Sequence, residues 1–469
     1  MPPIEAITAL QSFLKRPRPE QDSPRTAVSL FSGAGLSDAG YEMAGFRFVA
    51  QVEEQADRAR LGRANFPKSR WIETDVRRSA GEIATLYRQL SPHPLYLLVA
   101  TPPCQGMSSS NPSRGKRQNG QAKDQEEKNS LLLQIVPVAL ALSPRVIVVE
   151  NVRQVLTLAV ADGDQHRRMV DVIRSRLSDY HVFEGVVNVA DYGIPQDRRR
   201  AIIVAVRRSE KWLPNLLEGE LLPWPRPTHA QIPGADRAPW TTVRQWFDAM
   251  QYERLDAAER KSARGTHQLH FVPHYNADRY LMLSDIPAYT GRGAFQNDRC
   301  PACEHQPQPL HLSRCCQCGA VLKNRPHVVE NGTARLIKGF KSSYRRMHPD
   351  LPAATVTTNS SHVGSDFKIH PWEHRVLSIL ECADLQTVPA WYDWSDSITS
   401  NRTYTVRRAI GEAFPPYFTY LHGQLLAAML DGQVVHSGRF ASALSPGLGH
   451  RKTPSATAPA MRDTAEGDQ

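Results

Sequence analysis

Residues 28–46 read VSLFSGAGLSDAGYEMAGF and pass from an apolar strand pattern, through a turn with two glycines, into a helix pattern. Glycine lets a ligand approach the backbone closely, because it has no side chain and accepts left-handed backbone angles. A dinucleotide-binding turn needs a third glycine at position 38, where this chain has Asp38. The stretch predicts the first strand, turn and helix of an α/β domain and disfavours a NAD site. An ordinary tight turn without a ligand is the alternative.

Further runs rich in Val, Ile and Leu follow as far as residue 208, and several are separated by helix-length segments. They are FVAQV (48–52), LYLLVA (95–100), RVIVVE (145–150), VVNVA (186–190) and AIIVAV (201–206). Strands that alternate with helices are typical of a mostly parallel sheet with helices on both faces. We therefore expect a doubly wound α/β sheet.

Composition divides the 469 residues into five parts. The polar, proline-containing start, 1–24, is expected to be flexible, and the α/β pattern covers 25–208. Residues 209–343 are richer in Pro, Trp, His and Cys and lack the alternation, which predicts an inserted, smaller second domain. Ordered patterning resumes over 344–435, whereas the Ser-, Ala-, Gly- and Pro-rich 436–469 predicts a disordered tail.

The overall charge narrows the classes of partner. Lys and Arg number 57 against 47 Asp and Glu, which gives a net charge of +10. This excess favours a polyanionic partner such as a nucleic acid, with a merely basic protein as the alternative. No apolar run is long enough for a membrane span, and the first residues lack a signal peptide, so we expect a cytoplasmic location and no membrane partner. Only seven cysteines, most of them clustered, fit a reducing compartment with a metal site.

Polar residues follow the predicted strands at their carboxyl ends, where sheets of this type bind ligands. Glu53 follows the second strand and Asp75 a third, and a carboxylate there can accept hydrogen bonds from both hydroxyls of a ribose. Cys104 follows the strand at 95–100 within TPPCQG, where two prolines restrict the loop. A thiol held at such an edge suits a nucleophile, if a positive neighbour or a helix terminus lowers its pKa. For each residue alone, a solvated charge or an idle loop cysteine is the alternative.

Two further motifs, RVIVVENV and YGIPQDRRR, carry charged residues beside apolar strands. Glu150 and Asn151 end the first strand, and a carboxyl beside a low-dielectric sheet can hold a raised pKa and exchange a proton. Alternation along the second strand directs Arg198 and Arg200 to one side, which suits a phosphate or a carbonyl oxygen. A solvated basic run is the alternative.

In this order the motifs resemble those of the DNA (cytosine-5)-methyltransferase family, of the bacterial restriction-modification type. The most specific are PPCQ (102–105), ENV (150–152) and PQDRRR (195–200), supported by RRMHPDLPAATVTTNSSH (345–362), IHPWEHRVLSILECADLQTVP (369–389) and RRAIGEAFPP (407–416). The resemblance covers about residues 28–208 and 344–430. It implies the α/β fold of S-adenosylmethionine-dependent methyltransferases, with 209–343 as the target-recognition domain.

The resemblance implies a specific reaction on a cytosine flipped out of duplex DNA. Cys104 attacks C6 of the base and forms a covalent adduct, and C5 then takes the methyl group of S-adenosylmethionine. Glu150 hydrogen-bonds ring N3 and the exocyclic amine, Arg200 contacts the base carbonyl, and Arg198 supports the site. Loss of the C5 proton and release of Cys104 complete the transfer.

The resemblance also implies a binding site for that cofactor. Its residues are Phe31, Ser32, Gly33, Gly35, Glu53, Asp75, Val76, Pro103 and Leu131, with Glu53 on the ribose and Asp75 and Val76 near the adenine. Three positions depart from the family pattern: Ser29 replaces an Asp, Leu36 a Gly and Glu412 an Asn. None of these departures removes a catalytic group.

A cysteine cluster, CPACEHQPQPLHLSRCCQC, occupies residues 300–318. Two C-x-x-C pairs, separated by 11 residues, are formed by Cys300, Cys303, Cys315 and Cys318. This spacing can close a tetrahedral zinc–thiolate site, and a four-ligand site is structural because catalytic zinc keeps an open position. Reduced loop cysteines are the alternative. Three neighbours can substitute for one ligand: Cys316, His305 and His311.

Two other features have weaker implications. The segment RLIKGFKSSYRRMHP (335–349) combines Lys and Arg with Phe340 and Tyr344, which suits phosphates and base stacking, with a solvated basic face as the alternative. Cys382 lies in the helical pattern RVLSILECADLQ and is expected in the core.

Double-stranded DNA is the expected partner, and methylation of RNA cytosine on the same fold is the nearer alternative. A non-catalytic DNA-binding relative is the more distant one, although binding alone needs neither Cys104 nor Glu150. An accompanying restriction endonuclease is implied by the resemblance only. A monomer is expected because each chain carries one complete catalytic unit.

Overall fold

The computed structural model describes residues 3–20, 22–78, 80–91, 93–103, 131–339, 342–433, 435 and 437–442. The helices are α1 (Pro3–Lys15), α2 (Leu36–Met43), α3 (Ala56–Asn65), α4 (Ala80–Leu90), α5 (Ile135–Leu142), α6 (Met169–Arg176), α7 (Leu213–Glu218), α8 (Val243–Met250), α9 (Ala277–Ser284), α10 (Ile379–Leu385), α11 (Ser395–Thr399), α12 (Thr403–Glu412) and α13 (Pro416–Leu430). The strands are β1 (Thr26–Leu30), β2 (Arg47–Val52), β3 (Arg70–Ile72), β4 (Leu97–Ala100), β5 (Val146–Asn151), β6 (Ala159–Asp162), β7 (Gln165–Arg168), β8 (Tyr180–Asn188), β9 (Gln196–Asp197), β10 (Arg199–Arg207), β11 (Leu221–Pro225), β12 (His229–Ala230), β13 (Ala238–Pro239), β14 (His327–Glu330), β15 (Thr333–Leu336), β16 (Ala353–Ala354) and β17 (Phe440–Ser442). Among these residues, no helix has both the length and the apolar character needed to cross a membrane.

The central sheet has the strand order β3-β2-β1-β4-β5-β10-β8. The first five strands in this order run parallel to one another, whereas β10 is antiparallel to both β5 and β8. The sheet is therefore mostly parallel, as the sequence predicts. Because β10 runs the other way, its first residues reach the edge of the sheet where β1 to β5 end.

Two apolar layers enclose this sheet, because successive side chains of a strand point to opposite faces. On β4, Leu97 and Val99 enter one layer, and Leu98 and Ala100 enter the other. Helices α4, α5 and α6 pack on the second face, and α1, α2 and α13 on the first. Cys382 is fully buried in the first layer, as predicted.

The expectation of a flexible segment at 1–24 is wrong for most of its length, since Pro3–Lys15 form helix α1. Leu10, Phe13 and Leu14 are buried in the first apolar layer, which is the main core of the protein. The apolar spacing of this helix is diluted by polar residues and two early prolines, so composition alone misjudges it.

The expected disordered tail also begins later than predicted. Residues Phe440–Ser442 form β17, which pairs antiparallel with β11, and Phe440 and Ala441 are buried in the main core. These two residues are apolar exceptions within a stretch that is polar on average. The remainder of the expected tail, 443–469, lies outside the described residues.

The region expected as an inserted domain is divided among several buried clusters. Leu213, Trp224 and Trp246 pack in the main core, although they follow the expected boundary at 209. A separate apolar cluster combines residues from 255–294 with residues from 363–376. This cluster forms a second packing unit, but its core begins near residue 255. It also includes residues of the return segment, 344–435.

Candidate active site

The glycine turn between β1 and α2 has an unusual backbone. Gly33 and Gly35 have positive φ angles of 56° and 78°, and Phe31 has a φ of 54°. The non-glycine Phe31 is strained in this region, and the hydroxyl of Thr101 holds it by donating to its carbonyl at 2.8 Å. A Cβ at Gly35 would lie 2.5 Å from the Phe66 ring, whereas one at Gly33 would meet open space. The turn is therefore tightly packed on one side and open to a ligand on the other.

Glu53, at the end of β2, faces this turn. Its carboxylate accepts hydrogen bonds from the backbone N–H of Gly33 at 2.9 Å and of Gln55 at 2.8 Å. Burial raises the pKa of Glu53, and these two N–H donors oppose the rise. Each oxygen keeps further acceptor capacity, so the carboxylate can receive the two hydroxyls of a ribose.

The next predicted pair, Asp75 and Val76, follows β3. Asp75 accepts hydrogen bonds from the side chain and the backbone of Arg77, at 2.7 and 2.9 Å, and the first of these lowers its pKa most. Val76 is buried in the second apolar layer. Both lie at the same edge of the sheet as Glu53.

The loop after β4 leads to the predicted nucleophile. The side-chain amide of Asn151 donates to the carbonyl of Pro102 at 3.0 Å, which ties this loop to the end of β5. Pro103 is exposed, and Cys104 lies outside the described residues. Leu131, where the description resumes, is half-buried.

Glu150 and Arg200 meet where β5 and β10 pair. Ile202 lies opposite Glu150, so Arg200, two residues earlier on β10, is its diagonal neighbour on the same face. Arg200 Nε lies 3.0 Å from Glu150 Oε1, but this oxygen has no partner of hydrogen-bond geometry among the described residues. Burial raises the pKa of Glu150, and the Arg200 charge opposes the rise. A buried carboxyl with spare acceptor capacity beside a cation can bind a polar ring.

Arg198 is buried and is not placed to contact a base. It is 1% exposed and donates to the carbonyl oxygens of Val356 and Gly411, both at 3.1 Å. It therefore connects the sheet edge to the return segment and to α12. This agrees with the supporting role implied by the resemblance, and not with direct contact to a ligand.

Sequence reasoning missed Arg58, which lies at the start of α3 beside the Glu53 site. Arg58 Nη2 lies 2.6 Å from Glu412 Oε1, and both charges act on the pKa of Glu53 in opposite directions. The departure at Glu412 thus places a second carboxylate within electrostatic range of Glu53, in an ion pair with Arg58. No local pattern signals the pair, because its members are 354 positions apart.

The four cysteines of the cluster converge. Their sulfur atoms all lie within 4.8 Å of one another, and the Cys300–Cys318 and Cys303–Cys315 pairs are 3.8 and 3.7 Å apart. A tetrahedron with Zn–S bonds of about 2.3 Å requires sulfur separations of about 3.8 Å. The donor set therefore fits a structural zinc ion. Cys316, His305 and His311 are not members of this group.

The basic segment 335–349 is only partly available to a ligand. Arg346 is fully buried and donates to the carbonyl oxygens of Leu283, Ile286 and His370. For this residue the expected phosphate-binding role is wrong, because its guanidinium braces the second packing unit. Phe340 lies outside the described residues.

Comparison with known proteins agrees with this architecture. A sequence profile described as C-5 cytosine-specific DNA methylase matches residues 26–421. The chain is 25% identical over 399 residues to Type II methyltransferase M1.HgaI of Avibacterium volantium, covering 83% of this chain and 94% of that protein. It is 26% identical over 429 residues to Type II methyltransferase M.XorII of Xanthomonas oryzae pv. oryzae, covering 88% and 85% respectively.

A solved structure shares the fold. It is the crystal structure of a prophage-encoded DNA modification methyltransferase from E. coli, with a TM-score of 0.51 and 19% identity over 87% of this chain and 99% of that chain. The profile match extends over most of the sequence and includes both the glycine turn and the Glu150 site. The chain therefore belongs to the C-5 cytosine-specific DNA methylases, a family of DNA (cytosine-5)-methyltransferases.

Proposed function

We propose that this protein transfers a methyl group from S-adenosylmethionine to C5 of a flipped-out cytosine in a specific duplex DNA sequence. The observation that carries the proposal is Glu150, a buried carboxyl at the sheet edge whose Oε1 lies 3.0 Å from Arg200 Nε and has no partner of hydrogen-bond geometry among the described residues. Family membership and the order PPCQ, ENV, PQDRRR support the same reaction.

The residues around the glycine turn fit the cofactor. The open space at Gly33 admits a ligand against the backbone, and Glu53 beside it suits the ribose hydroxyls. Asp75 and Val76, which follow β3 at the same edge of the sheet, are the proposed contacts for the adenine, and Pro103 and Leu131 are proposed to line the site. When bound, S-adenosylmethionine supplies an electrophilic methyl group.

The base site is proposed to act through three side chains. The Cys104 thiolate adds to C6, which moves an electron pair onto the ring and makes C5 nucleophilic. Glu150, whose pKa is raised by burial, hydrogen-bonds N3 and stabilises the ring as charge accumulates there, and Arg200 binds the carbonyl oxygen at C2. After methylation a base removes the C5 proton, and the returning electron pair expels Cys104 as a thiolate.

The target must leave the duplex to react in this way. Glu150 is 9% exposed and lies at the end of a buried strand, so a stacked base cannot reach it. Flipping of the cytosine is the general solution of enzymes that modify bases inside duplex DNA. The second packing unit and the zinc module are proposed to belong to the domain that recognises the target sequence.

The cellular setting is proposed from the relatives. Several of them are named Type II methyltransferases, which supports a restriction-modification role with a cognate endonuclease. We propose a monomer, because each chain carries one proposed site. We also propose that it acts in the cytoplasm or nucleoid.

The decisive experiment measures transfer of labelled methyl groups from S-adenosylmethionine to mixed-sequence duplex DNA, and maps 5-methylcytosine in the product. Wild type is expected to label DNA at one sequence, and Cys104→Ala to abolish the label. Glu150→Gln is expected to lower kcat by at least about a hundredfold while cofactor binding persists. Labelling of RNA alone would favour the RNA alternative, and binding of both ligands without any transfer would favour a regulatory relative.

A further inference from the structure

A cavity of about 560 Å³ opens between the second packing unit and α12, and none of its described lining residues belongs to the proposed base or cofactor site. Its lining includes four basic side chains: Arg260, Arg264, His274 and Arg407. None of the described residues that line it is acidic. Because positive charges converge without a counter-charge, the cavity favours an anionic ligand.

One wall of the cavity is a loop with its own backbone hydrogen bonds. Arg264 and Phe271 face each other across a β-bridge, and the neighbouring Val272 N–H donates to the Ala263 carbonyl at 3.0 Å. The Arg264 guanidinium lies over the Phe271 ring, 4.9 Å from its centre. The arginine is therefore oriented before a ligand arrives, which reduces the entropy lost on binding.

The opposite wall is the first half of α12. Tyr404 is 60% exposed, and the Arg408 guanidinium lies 5.4 Å from the centre of its ring. Arg407 is buried and donates to Ser360 and to the Leu377 carbonyl. It therefore adds positive charge to this wall from a buried position. An exposed aromatic ring beside arginines is a typical platform for nucleotides.

A short stretch of backbone links the cavity to Arg198, the buried residue that supports the base site. Ser361 lines the cavity, and Val356, five positions earlier, accepts the hydrogen bond from Arg198. Five residues span at most about 18 Å, which is about half of one turn of duplex DNA. A duplex whose cytosine enters the base site therefore has backbone phosphates within reach of the cavity.

We propose that this cavity binds a phosphodiester of the DNA backbone beside the target cytosine. Arg260 and Arg264 are the phosphate-binding groups, and Tyr404 packs against the adjoining nucleotide. The inference rests on the proposed duplex DNA substrate. Phosphate contacts carry no sequence information but fix the register of a protein on the duplex. The cavity thus aligns the cytosine with Glu150.

The test compares the double variant R260A/R264A with the double variant R88A/R208A. Arg88 and Arg208 are exposed and lie near the opposite edge of the sheet, so the control removes the same charge elsewhere. For both variants and for wild type, Kd for a duplex that contains the methylated target sequence is measured at several salt concentrations. R260A/R264A is expected to bind about tenfold more weakly, and its slope of log K against log salt is expected to be shallower by about 0.9, the value for one neutralised phosphate, while the control keeps the wild-type slope.

Further measurements separate this site from a structural effect. R260K/R264K is expected to retain the slope because it retains the charges, and affinity for S-adenosylmethionine is expected to equal wild type in all variants. An unchanged slope in R260A/R264A, or the same loss in the control, would overturn the proposal even if wild type methylates DNA. A wild type that binds no duplex DNA would overturn the proposed function itself.

Discussion

Asp38 lies beneath the glycine turn, in the first turn of α2. Its carboxyl oxygens accept hydrogen bonds from Ser29 at 3.0 Å and Gln51 at 2.8 Å. Burial nevertheless raises the pKa of Asp38 to about 7. Since Ser29 replaces the family's usual Asp, Asp38 supplies a buried carboxyl in contact with that position from another element.

This arrangement predicts a pH dependence of stability. The unfolded chain loses the Asp38 proton near its ordinary pKa of 3.8, whereas the folded chain keeps it until about pH 7, so stability falls as pH rises between these values. Asp38→Asn is expected to gain about 2–3 kcal/mol relative to wild type on going from pH 5 to pH 8. Urea unfolding at both pH values measures it, with the exposed Asp22→Asn as control. Parallel profiles for Asp38→Asn and wild type would contradict the assignment.

Arg58 and Glu412 form the second residue-scale feature. Arg58 is 7% exposed and pairs with Glu412, whose side chain is 35% exposed, beside the cofactor site. The Arg58 charge opposes the rise in the pKa of Glu53, whereas the Glu412 charge adds to it. Loss of Arg58 is therefore expected to raise the pKa of Glu53 further, because the Glu412 carboxylate would remain.

Arg58→Ala is accordingly expected to raise KM for S-adenosylmethionine about tenfold, with a much smaller effect on kcat. The double variant R58A/E412N is expected to recover part of the loss, because it removes the repelling carboxylate as well. Initial rates at varied cofactor concentration, together with calorimetric binding, distinguish KM from kcat. Equal KM values for Arg58→Ala and wild type would show that the pair is only structural.

The cysteine module has little apolar material of its own at the scale of an element. Its buried cluster consists of Cys300, Cys315 and Leu322. Arg325 is buried and spans the module by donating to four backbone carbonyls, those of Asn297, Gln308, Pro309 and Leu312. Ser313 connects it to β15 through a hydrogen bond to Ala334 at 2.8 Å. A metal ion held by the four sulfur atoms would stabilise so small a core, because metal binding contributes directly to folding.

The element is therefore expected to carry one zinc ion per chain. Cys303→Ser removes one ligand and is expected to lower the zinc content well below one per chain and to reduce Tm, since metal binding contributes directly to folding. Cys316→Ser, which alters the cysteine outside the group of four, is the matched control and is expected to keep the metal. Elemental analysis after gel filtration measures both. Full zinc occupancy in Cys303→Ser would exclude the four-sulfur site.

At the scale of the whole molecule, sequence patterns predict those features of the fold that depend on local periodicity. The apolar runs locate the strands, and the rule that ligands bind at carboxyl ends locates Glu53 and Glu150. Contacts between distant segments leave no such signal: Arg198 reaches Val356 and Gly411 across 158 and 213 positions. The same holds for the second core, whose residues come from two separate stretches.

Helix α1 is the clearest example of a long-range contact that composition hides. Phe13 lies 5.2 Å from the ring centres of both Tyr417 and Tyr420 in α13. Gln11 donates to the Ala249 carbonyl at the end of α8, at 3.0 Å. The first helix thus joins α13 to the segment that precedes the second packing unit.

Because α1 closes this junction, its core residues are expected to contribute to the stability of the whole chain. Phe13→Ala is expected to lower the free energy of unfolding by about 3–5 kcal/mol, through lost apolar burial and the cavity left behind. Ser12→Ala, at an exposed position of the same helix, is expected to change it by less than about 0.5 kcal/mol. Urea denaturation followed by circular dichroism measures both. If the two variants unfolded at the same urea concentration, α1 would be dispensable for stability, as its composition suggests, and the main core would be stable without it.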